Sequence, residues 1–209
     1  MKALPLPQPS TGLVSWSDDQ TIQIGASSVG AKDFETSTAN NWLNDEIINA
    51  CTHLLFFKRR DTHFTSTFFF TNLAGGKQYL PGREIDYASV HRWTKNVDIF
   101  QLKYLVIPIN RGNYHWSLAI VRNLSSINTP AFEITTMDSM DHIGNEANAS
   151  IASKLAAYLI AKGETKICDK HITKKHVTTL PQQPNGWDCG VYVVAYLSRF
   201  ANDPQAFFY

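Results

Sequence analysis

The sequence predicts an α+β fold in which a helical first part precedes a sheet and a final helix. Three observations support this prediction. Apolar residues recur at three- and four-residue steps from Leu43 to Leu55, which is the period of an amphipathic helix. Apolar runs of strand length follow between residues 104 and 137. The helical period then returns between Cys189 and Phe200, so helices and strands are grouped rather than alternating.

The N-terminal part contains one short strand signal and then the first helix. We expect residues 1–30 to be a tail, rich in Ser, Thr, Gly and Pro, with one edge strand at Thr21–Ile24. The helix that follows is expected to start near Asn41. Asn40 or Asn41 is expected to cap it, because a short polar side chain can accept from the free N–H groups of the first turn.

The region between this helix and the sheet is predicted to hold one strand and one short helix. Ser66–Thr71 contains three consecutive phenylalanines, which is typical of a buried strand. Gly75-Gly76 and Pro81-Gly82 indicate loops. A short helix is then predicted at Arg83–Trp93.

The second half is predicted to contain the central sheet and two long helices. A helix through Ile151 and Leu159 is expected to end at a Gly163 cap, and Pro181–Asp188 is expected to be a loop that leads into the Cys189–Phe200 helix. The predicted strands are Tyr104–Ile109, Tyr114–Arg122, Ala131–Met137 and a strand around His171–Leu180. On Tyr114–Arg122, alternation separates the face of His115 from the face of Trp116.

Composition and charge exclude several classes of protein. Hydrophobic residues make up 44% of the 209 residues and charged residues 18%, as in a globular chain with a large core. The formal net charge is +1, which gives no reason to expect nucleic acid or an acidic membrane as a partner. No apolar run approaches the ~18 residues that a membrane helix needs. We expect a monomer.

The three cysteines are too few, and odd in number, for a disulfide scaffold, and they suit a reducing, intracellular compartment. Cys51 lies on the apolar face of the first helix and is expected to pack in the core. Cys168 lies in a polar segment with no evident activating partner. Cys189 follows a turn and opens a helix, where the helix dipole favours a thiolate. Cys189 is therefore the candidate nucleophile.

Other residues supply the remaining roles of thiol acyl transfer. His115 can accept the thiol proton, and Asp138, at the end of the next strand, can orient the imidazole. Gln183, in the loop before Cys189, can donate to an oxyanion. Each also has an ordinary structural explanation, and it is the combination that indicates a site. A zinc site at Cys168, His171 and His176 is a weaker alternative, since it has three ligands where structural zinc takes four.

Several sequence blocks in order resemble those of the SUMO proteases, the sentrin-specific or ubiquitin-like-protein-specific cysteine peptidases. The blocks are Trp42-Leu43-Asn44-Asp45-Glu46-Ile47-Ile48-Asn49, Thr67-Phe68-Phe69-Phe70-Thr71, Arg92-Trp93-Thr94-Lys95-Asn96-Val97-Asp98-Ile99-Phe100, His115-Trp116, Met137-Asp138-Ser139-Met140, and Pro181-Gln182-Gln183-Pro184-Asn185-Gly186-Trp187-Asp188-Cys189-Gly190. The resemblance extends over roughly residues 33–200.

The resemblance implies a papain-like fold of the ubiquitin-like-protease type, with a helical lobe and a central mixed sheet. It implies the catalytic set His115, Asp138 and Cys189, with Gln183 as oxyanion donor. It also implies substrate-binding roles for three further residues. Trp42 and Trp116 are expected to flank a narrow tunnel for the modifier's Gly-Gly tail, and Asp45 to pair with an arginine of the modifier. No metal or cofactor is expected.

The implied activity is cleavage after the C-terminal Gly-Gly of SUMO, in precursors and in conjugates on lysine. The same chemistry on NEDD8 or ubiquitin is the alternative, and a non-cleaving modifier-binding module is a further one. The chain departs from the family pattern in a longer Asn72–His91 loop, an extra residue within Arg111–Tyr114, and an end before the last family helix. Residues 31–209 are expected to be the protease domain, in a nuclear or cytoplasmic protein.

Overall fold

A five-stranded mixed sheet forms the centre of the computed structural model, which describes residues 20–76 and 80–208, without the side chains of residues 141–145. The strand order is β3-β4-β5-β6-β7. The outer pairs, β3 with β4 and β6 with β7, are parallel, whereas β5 pairs antiparallel with both β4 and β6. Its strands are β3 Thr62–Phe64, β4 Tyr104–Asn110, β5 Trp116–Asn123, β6 Phe132–Met137 and β7 Ile172–Val177.

Helices cover both faces of this sheet. They are α1 Ala31–Glu35, α2 Asp45–Phe56, α3 Phe68–Leu73, α4 Tyr87–Val90, α5 Asp141–Gly163 and α6 Cys189–Asn202. One apolar core joins one sheet face to α3 and α5, and the other joins the opposite face to α2 and α6. The α+β prediction is therefore confirmed.

Strand β5 shows how the sequence alternation builds the two cores. Ala119 and Val121 face the α3–α5 core, whereas Trp116 and Leu118 face the α2–α6 core. This is the separation of faces that period-two alternation predicts. The strand starts at Trp116, so His115 lies just before it.

The first long helix begins later than its sequence pattern suggests. Its N-cap is Asn44, whose side chain accepts from the backbone N–H of Ile47, so the predicted caps Asn40 and Asn41 are wrong. Asn40 instead has a positive φ of 68° in the preceding turn. An asparagine tolerates that conformation, and this use competes with capping.

Two predictions between residues 66 and 93 are also wrong. Ser66–Thr71 is not a strand, because the phenylalanines belong to helix α3. Phe69, Phe70 and Leu73 are buried there while Phe68 is exposed, which is a helical period and not a period of two. Where a helix is predicted at Arg83–Trp93, the structure has the shorter helix α4. This helix begins after Asp86, because the Asp86 side chain is its N-cap and accepts from the backbone N–H of Ser89.

The second half follows the prediction closely, with one correction. Strands β4, β5, β6 and β7 and helices α5 and α6 lie where their patterns place them. Helix α5 is capped by Glu164, with φ 50°, and not by Gly163. Gly163 has another role: a Cβ there would lie 2.3 Å from Ile167 Cγ1, so the glycine permits close packing of the following turn.

Residues 21–30 form a hairpin rather than a single edge strand. β1 Thr21–Ile24 pairs antiparallel with β2 Ser27–Gly30, and Val29 is buried in the α2–α6 core. The predicted tail at residues 1–19 and residues 77–79 of the Asn72–His91 loop lie outside the described residues. Within the part of the chain that the structure describes, no helix is long and apolar enough to cross a membrane.

Candidate active site

The sheet register brings His115 and Asp138 together. β5 and β6 are antiparallel, with Leu118 opposite Met137, so the start of β5 and the end of β6 lie at the same edge of the sheet. His115 precedes β5 and Asp138 follows β6. The N-terminus of α6, which carries Cys189, packs against this same edge through the α2–α6 core.

A thiol, an imidazole and a carboxylate lie in series at this edge. His115 Nε2 lies 2.7 Å from Asp138 Oδ1. With Nε2 on the carboxylate, the other ring nitrogen, Nδ1, is left for Cys189, which lines the same cleft and whose interaction with the ring raises the pKa of His115. In the free protein the Cys189 thiol donates to Trp187 O at 4.0 Å. The exposed fraction is 8% for His115 and 1% for both Asp138 and Cys189. Water is thus largely excluded from all three groups.

The electrostatics of this series favour a charged imidazole. Burial opposes the charge on His115, but the hydrogen bonds and negative charges of Asp138 and Cys189 outweigh it and raise the pKa of His115 to about 9. Burial likewise opposes the charge on Asp138. The hydrogen bond and charge of His115, the Met140 N–H and the Arg111 guanidinium together hold the pKa of Asp138 below its usual range.

Asp138 has one partner that the sequence did not indicate. Arg111 Nη1 lies 3.0 Å from Asp138 Oδ2, so the carboxylate bonds His115 and the Met140 N–H with one oxygen and Arg111 with the other. Arg111 lies in the turn between β4 and β5. The available signal was Gly112-Asn113, a turn dipeptide that places Arg111 and His115 side by side.

The loop before α6 fixes the position of the thiol. Asn185 Oδ1 accepts from the N–H groups of Trp187 and Asp188, and Asn185 Nδ2 donates to Asp188 Oδ2 at 2.7 Å. Gly190 then permits a close approach, because a Cβ there would lie 2.9 Å from Leu43 Cβ. The thiol is therefore held at the first residue of the helix, against the wall of the cleft.

Gln183 has a fixed amide close to the same edge. Its backbone N–H donates to Ser139 O at 2.9 Å, and its Oε1 accepts from Ser139 Oγ at 2.6 Å. Its Nε2 donates to Asn185 O at 2.6 Å. A carbonyl oxygen can only accept, so Asn185 O makes Nε2 the donor end of the amide, and Ser139, which was not singled out from the sequence, holds the other end.

The residues predicted to contact a modifier line a cleft of about 290 Å³ together with His115 and Cys189. Trp116 is buried, at 4% exposed, and its Nε1 donates to Leu43 O. Trp42 is 49% exposed, and its Nε1 donates to Gly186 O at 2.8 Å. Asp45 Oδ1 is a buried atom without a hydrogen-bond partner, and its Oδ2 lies 3.5 Å from Asn110 Nδ2.

The other two cysteines lie away from this cleft. Cys51 is half-buried against the α2–α6 core, and burial raises the pKa of its thiol. Cys168 is exposed, and its Sγ lies 3.7 Å from His171 Nδ1. The sequence pattern did not indicate this contact. Among the described residues, no three His, Cys, Asp or Glu side chains are grouped to hold a metal ion.

An α+β fold with thiol, imidazole and carboxylate in series at a sheet edge defines the class of papain-like cysteine peptidases. Within that class, residues 41–208 match the Ulp1 protease family, C-terminal catalytic domain. The chain belongs to the Ulp1 protease family.

Curated relatives carry names of the same kind. The chain is 30% identical to ubiquitin-like-specific protease 2 of Saccharomyces cerevisiae over 83% of its length, and 30% identical to human sentrin-specific protease 2 over 82%. These matches span 19% and 28% of the two relatives, so the chain corresponds to a minor part of each.

Solved structures agree with the family assignment. A de-sumoylating protease has a TM-score of 0.72 and 29% identity, covering 90% of this chain and 74% of that one. The C-terminal Ulp1 protease domain in complex with Smt3, the yeast orthologue of SUMO, has a TM-score of 0.69 and 28% identity, covering 88% and 78%. The papain-like fold of the ubiquitin-like-protease type is confirmed.

Proposed function

We propose that this protein is a thiol peptidase and isopeptidase that cleaves after the C-terminal Gly-Gly of SUMO, in precursors and in conjugates. The observation that carries the proposal is the buried series Cys189, His115 and Asp138 at one end of a cleft lined by two tryptophans. The similar Ulp1 domain in complex with Smt3 supports SUMO as the modifier.

The proposed chemistry begins with a proton transfer from Cys189 to His115 Nδ1. The thiolate adds to the carbonyl carbon of the terminal glycine, and the carbonyl π electrons move onto oxygen. The tetrahedral intermediate collapses when imidazolium gives its proton to the leaving amine, so the C–N bond breaks and a thioester remains. His115 then takes a proton from water, and the resulting hydroxide adds to the thioester carbonyl. The C–S bond breaks to release the terminal glycine as its acid, and the proton on His115 returns to the sulfur.

The oxyanion of this intermediate needs donors that are already in place. The proposed donors are the Cys189 N–H, at the first residue of α6, and the Gln183 amide. One N–H of Gln183 Nε2 already bonds Asn185 O. An amide nitrogen has two N–H groups, so the second remains for the substrate. Asp138 holds His115 by Nε2, which leaves Nδ1 available for the sulfur.

The two tryptophans are proposed to select glycine in the modifier tail. A channel between the indoles of Trp42 and Trp116 leaves little room for a β-carbon, so an unbranched Gly-Gly segment fits best. Asp45 is proposed to pair with an arginine of the modifier. Its buried, unpartnered Oδ1 supports this role, since such an oxygen is costly until a donor arrives.

The modifier can be identified with a panel of probes. SUMO, NEDD8 and ubiquitin, each bearing a C-terminal electrophile, are incubated separately with the protein, and the adduct on Cys189 is followed by intact mass. We expect the SUMO adduct to form fastest. A faster NEDD8 or ubiquitin adduct would replace SUMO in the proposal. Tight binding of the SUMO tail without cleavage of a SUMO precursor would favour the binding module instead.

We further propose residues 31–209 as the protease domain and an intracellular location, nuclear or cytoplasmic, for a monomer that needs no cofactor. The family match over residues 41–208 supports the domain. The half-buried Cys51 and exposed Cys168, both free thiols, support a reducing compartment. The near-neutral charge favours no nucleic acid partner. Fractionation of cells with an antibody to the native protein tests the location.

A further inference from the structure

The turn between β4 and β5 places the Arg111 guanidinium beside Asp138, at the oxygen that His115 does not bond. Arg111 is 15% exposed at its side chain, and its guanidinium lies 3.0 Å from Asp138 Oδ2, whereas His115 bonds the other oxygen. The Asp138 side chain is fully buried. A buried carboxylate is stable only when both oxygens find donors, and the guanidinium is the described donor to Oδ2.

The backbone of the turn makes this arrangement specific. The Arg111 N–H donates to His115 O at 2.8 Å, so the two residues face each other across the turn. Gly112 and Asn113 have positive φ values of 64° and 63°, and the Asn113 N–H is held by Asn110 Oδ1 at 2.8 Å. The turn therefore directs Arg111 and His115 to opposite oxygens of one carboxylate.

We propose that Arg111 is a positioning residue that holds Asp138 in the orientation needed to align His115 with Cys189. This inference rests on the proposed peptidase function. A carboxylate bonded on one side only can rotate about its Cβ–Cγ bond, and each rotation loosens the bond to His115 Nε2. Binding Oδ2 fixes the rotation, so the reacting nitrogen stays in line with the sulfur.

The loss of Arg111 has a second, measurable consequence. The charged or titratable side chains near His115 are Asp138, Cys189, Arg111 behind Asp138, and Asp45 and Tyr114 on the cleft wall. The hydrogen bond between His115 and Asp138 is among the interactions that raise the pKa of His115. If Arg111 positions Asp138, its loss loosens that bond and the pKa of His115 should fall, whereas a purely through-space effect of the Arg111 charge would make it rise.

The test is a double-mutant cycle on cleavage of a SUMO precursor. We expect Arg111→Gln to lower kcat roughly tenfold to a hundredfold with little change in KM, by misalignment of the base. Arg111→Lys should recover much of the loss. In the Asp138→Asn background, Arg111→Gln should cost less than about twofold, because its target is already gone.

Arg83→Gln is the matched control. Arg83 also forms a salt bridge with a carboxylate, donating two hydrogen bonds to Asp169, but this pair lies on the exposed surface and outside the cleft. Its loss should leave kcat unchanged. A full loss from Arg111→Gln in the Asp138→Asn background would overturn the positioning role, and so would an unchanged kcat in the parent background.

A second readout needs no substrate and separates this inference from the proposed function. The titration of His115 by NMR is compared in the parent protein and in Arg111→Gln. We expect the midpoint to fall in the variant, because a loosened bond to Asp138 stabilises the imidazolium less. A midpoint that stays or rises would overturn the inference even in an active enzyme. If the parent protein cleaves none of the modifiers but the midpoint is lower in Arg111→Gln, the proposed function is refuted and the positioning role stays intact.

Discussion

The two sides of the cleft differ in how complete they are before a partner arrives. On the catalytic side, His115, Asp138 and Gln183 are buried and every one has hydrogen-bond partners. On the docking side, Trp42 is half exposed and Asp45 has a buried oxygen with no partner. The groups of the proposed chemistry are therefore preorganised by the protein itself, whereas the docking side is left for the proposed modifier to complete.

This difference separates the kinetic effects of substitutions on the two sides. A group that is aligned only for the reaction contributes to the transition state, so its loss lowers kcat. A group that waits for the modifier contributes to binding throughout, so its loss raises KM. Substitutions on each side test whether the division holds.

The largest effect is expected from Cys189→Ala. Without the sulfur no thioester forms, so cleavage of a SUMO precursor should become undetectable, while binding of SUMO, measured by calorimetry, should stay within a few-fold of the parent. Cys168→Ser is the control, since Cys168 is exposed and lies outside the cleft, and it should retain full activity. Cleavage that persists in Cys189→Ala would show that another residue is the nucleophile.

The next effect concerns the oxyanion donor. Gln183→Ala should lower kcat about a hundredfold to a thousandfold, as the loss of one oxyanion donor does in other hydrolases, with KM nearly unchanged. Ser139→Ala removes only the hydroxyl that holds Oε1 and should cost about tenfold. Steady-state kinetics on one precursor measure both. A Ser139→Ala loss that equals the Gln183→Ala loss would give Ser139 a role beyond orienting the amide.

The catalytic side was more accessible to sequence reasoning than its supports. His115, Asp138 and Cys189 occur at the ends of strongly patterned elements, and antiparallel pairing brings those ends together. The Gly112-Asn113 turn places Arg111 beside His115, but it does not show that Arg111 meets Asp138. The contact of Ser139 depends likewise on the path of the loop that carries Gln183. Both contacts are tertiary, and local sequence does not encode them.

The errors in the fold have a similar physical origin. Phe68, Phe69 and Phe70 have strand propensity, but the burial of Phe69, Phe70 and Leu73 in the core follows the helical period of α3. Tertiary packing overrides propensity in short segments. Long segments such as α6 and β5 were predicted well, since many residues there agree on one period.

On the docking side, Asp45→Asn should raise KM about tenfold to a hundredfold and leave kcat within about twofold, because a charge-paired contact to the modifier is lost. The unfolding midpoint should change little, since Asp45 Oδ1 has no partner to lose in the free protein. Kinetics over a wide SUMO concentration range separate the two constants. A fall in kcat at constant KM would place Asp45 on the catalytic side and break the division.

The pH dependence should belong to the catalytic side alone. The pKa of His115, raised to about 9, means that the imidazolium needed by the leaving amine is lost above that value. Because this pKa belongs to the free protein, we expect kcat/KM to fall roughly tenfold between pH 8 and pH 10. Asp45→Asn should show the same alkaline limb as the parent.

The same group links pH to stability, with a definite sign. A folded-state pKa above the unfolded value of about 6.5 means that protonated His115 stabilises the fold fully below that pH, and that this contribution is lost as pH rises through about 9. Urea unfolding of the parent should therefore show a fall in the free energy of unfolding across this window, and His115→Gln should lack that component. If both proteins lose the same stability between pH 6.5 and 9, the alkaline limb cannot be assigned to His115, and the contrast between the two sides loses its electrostatic basis.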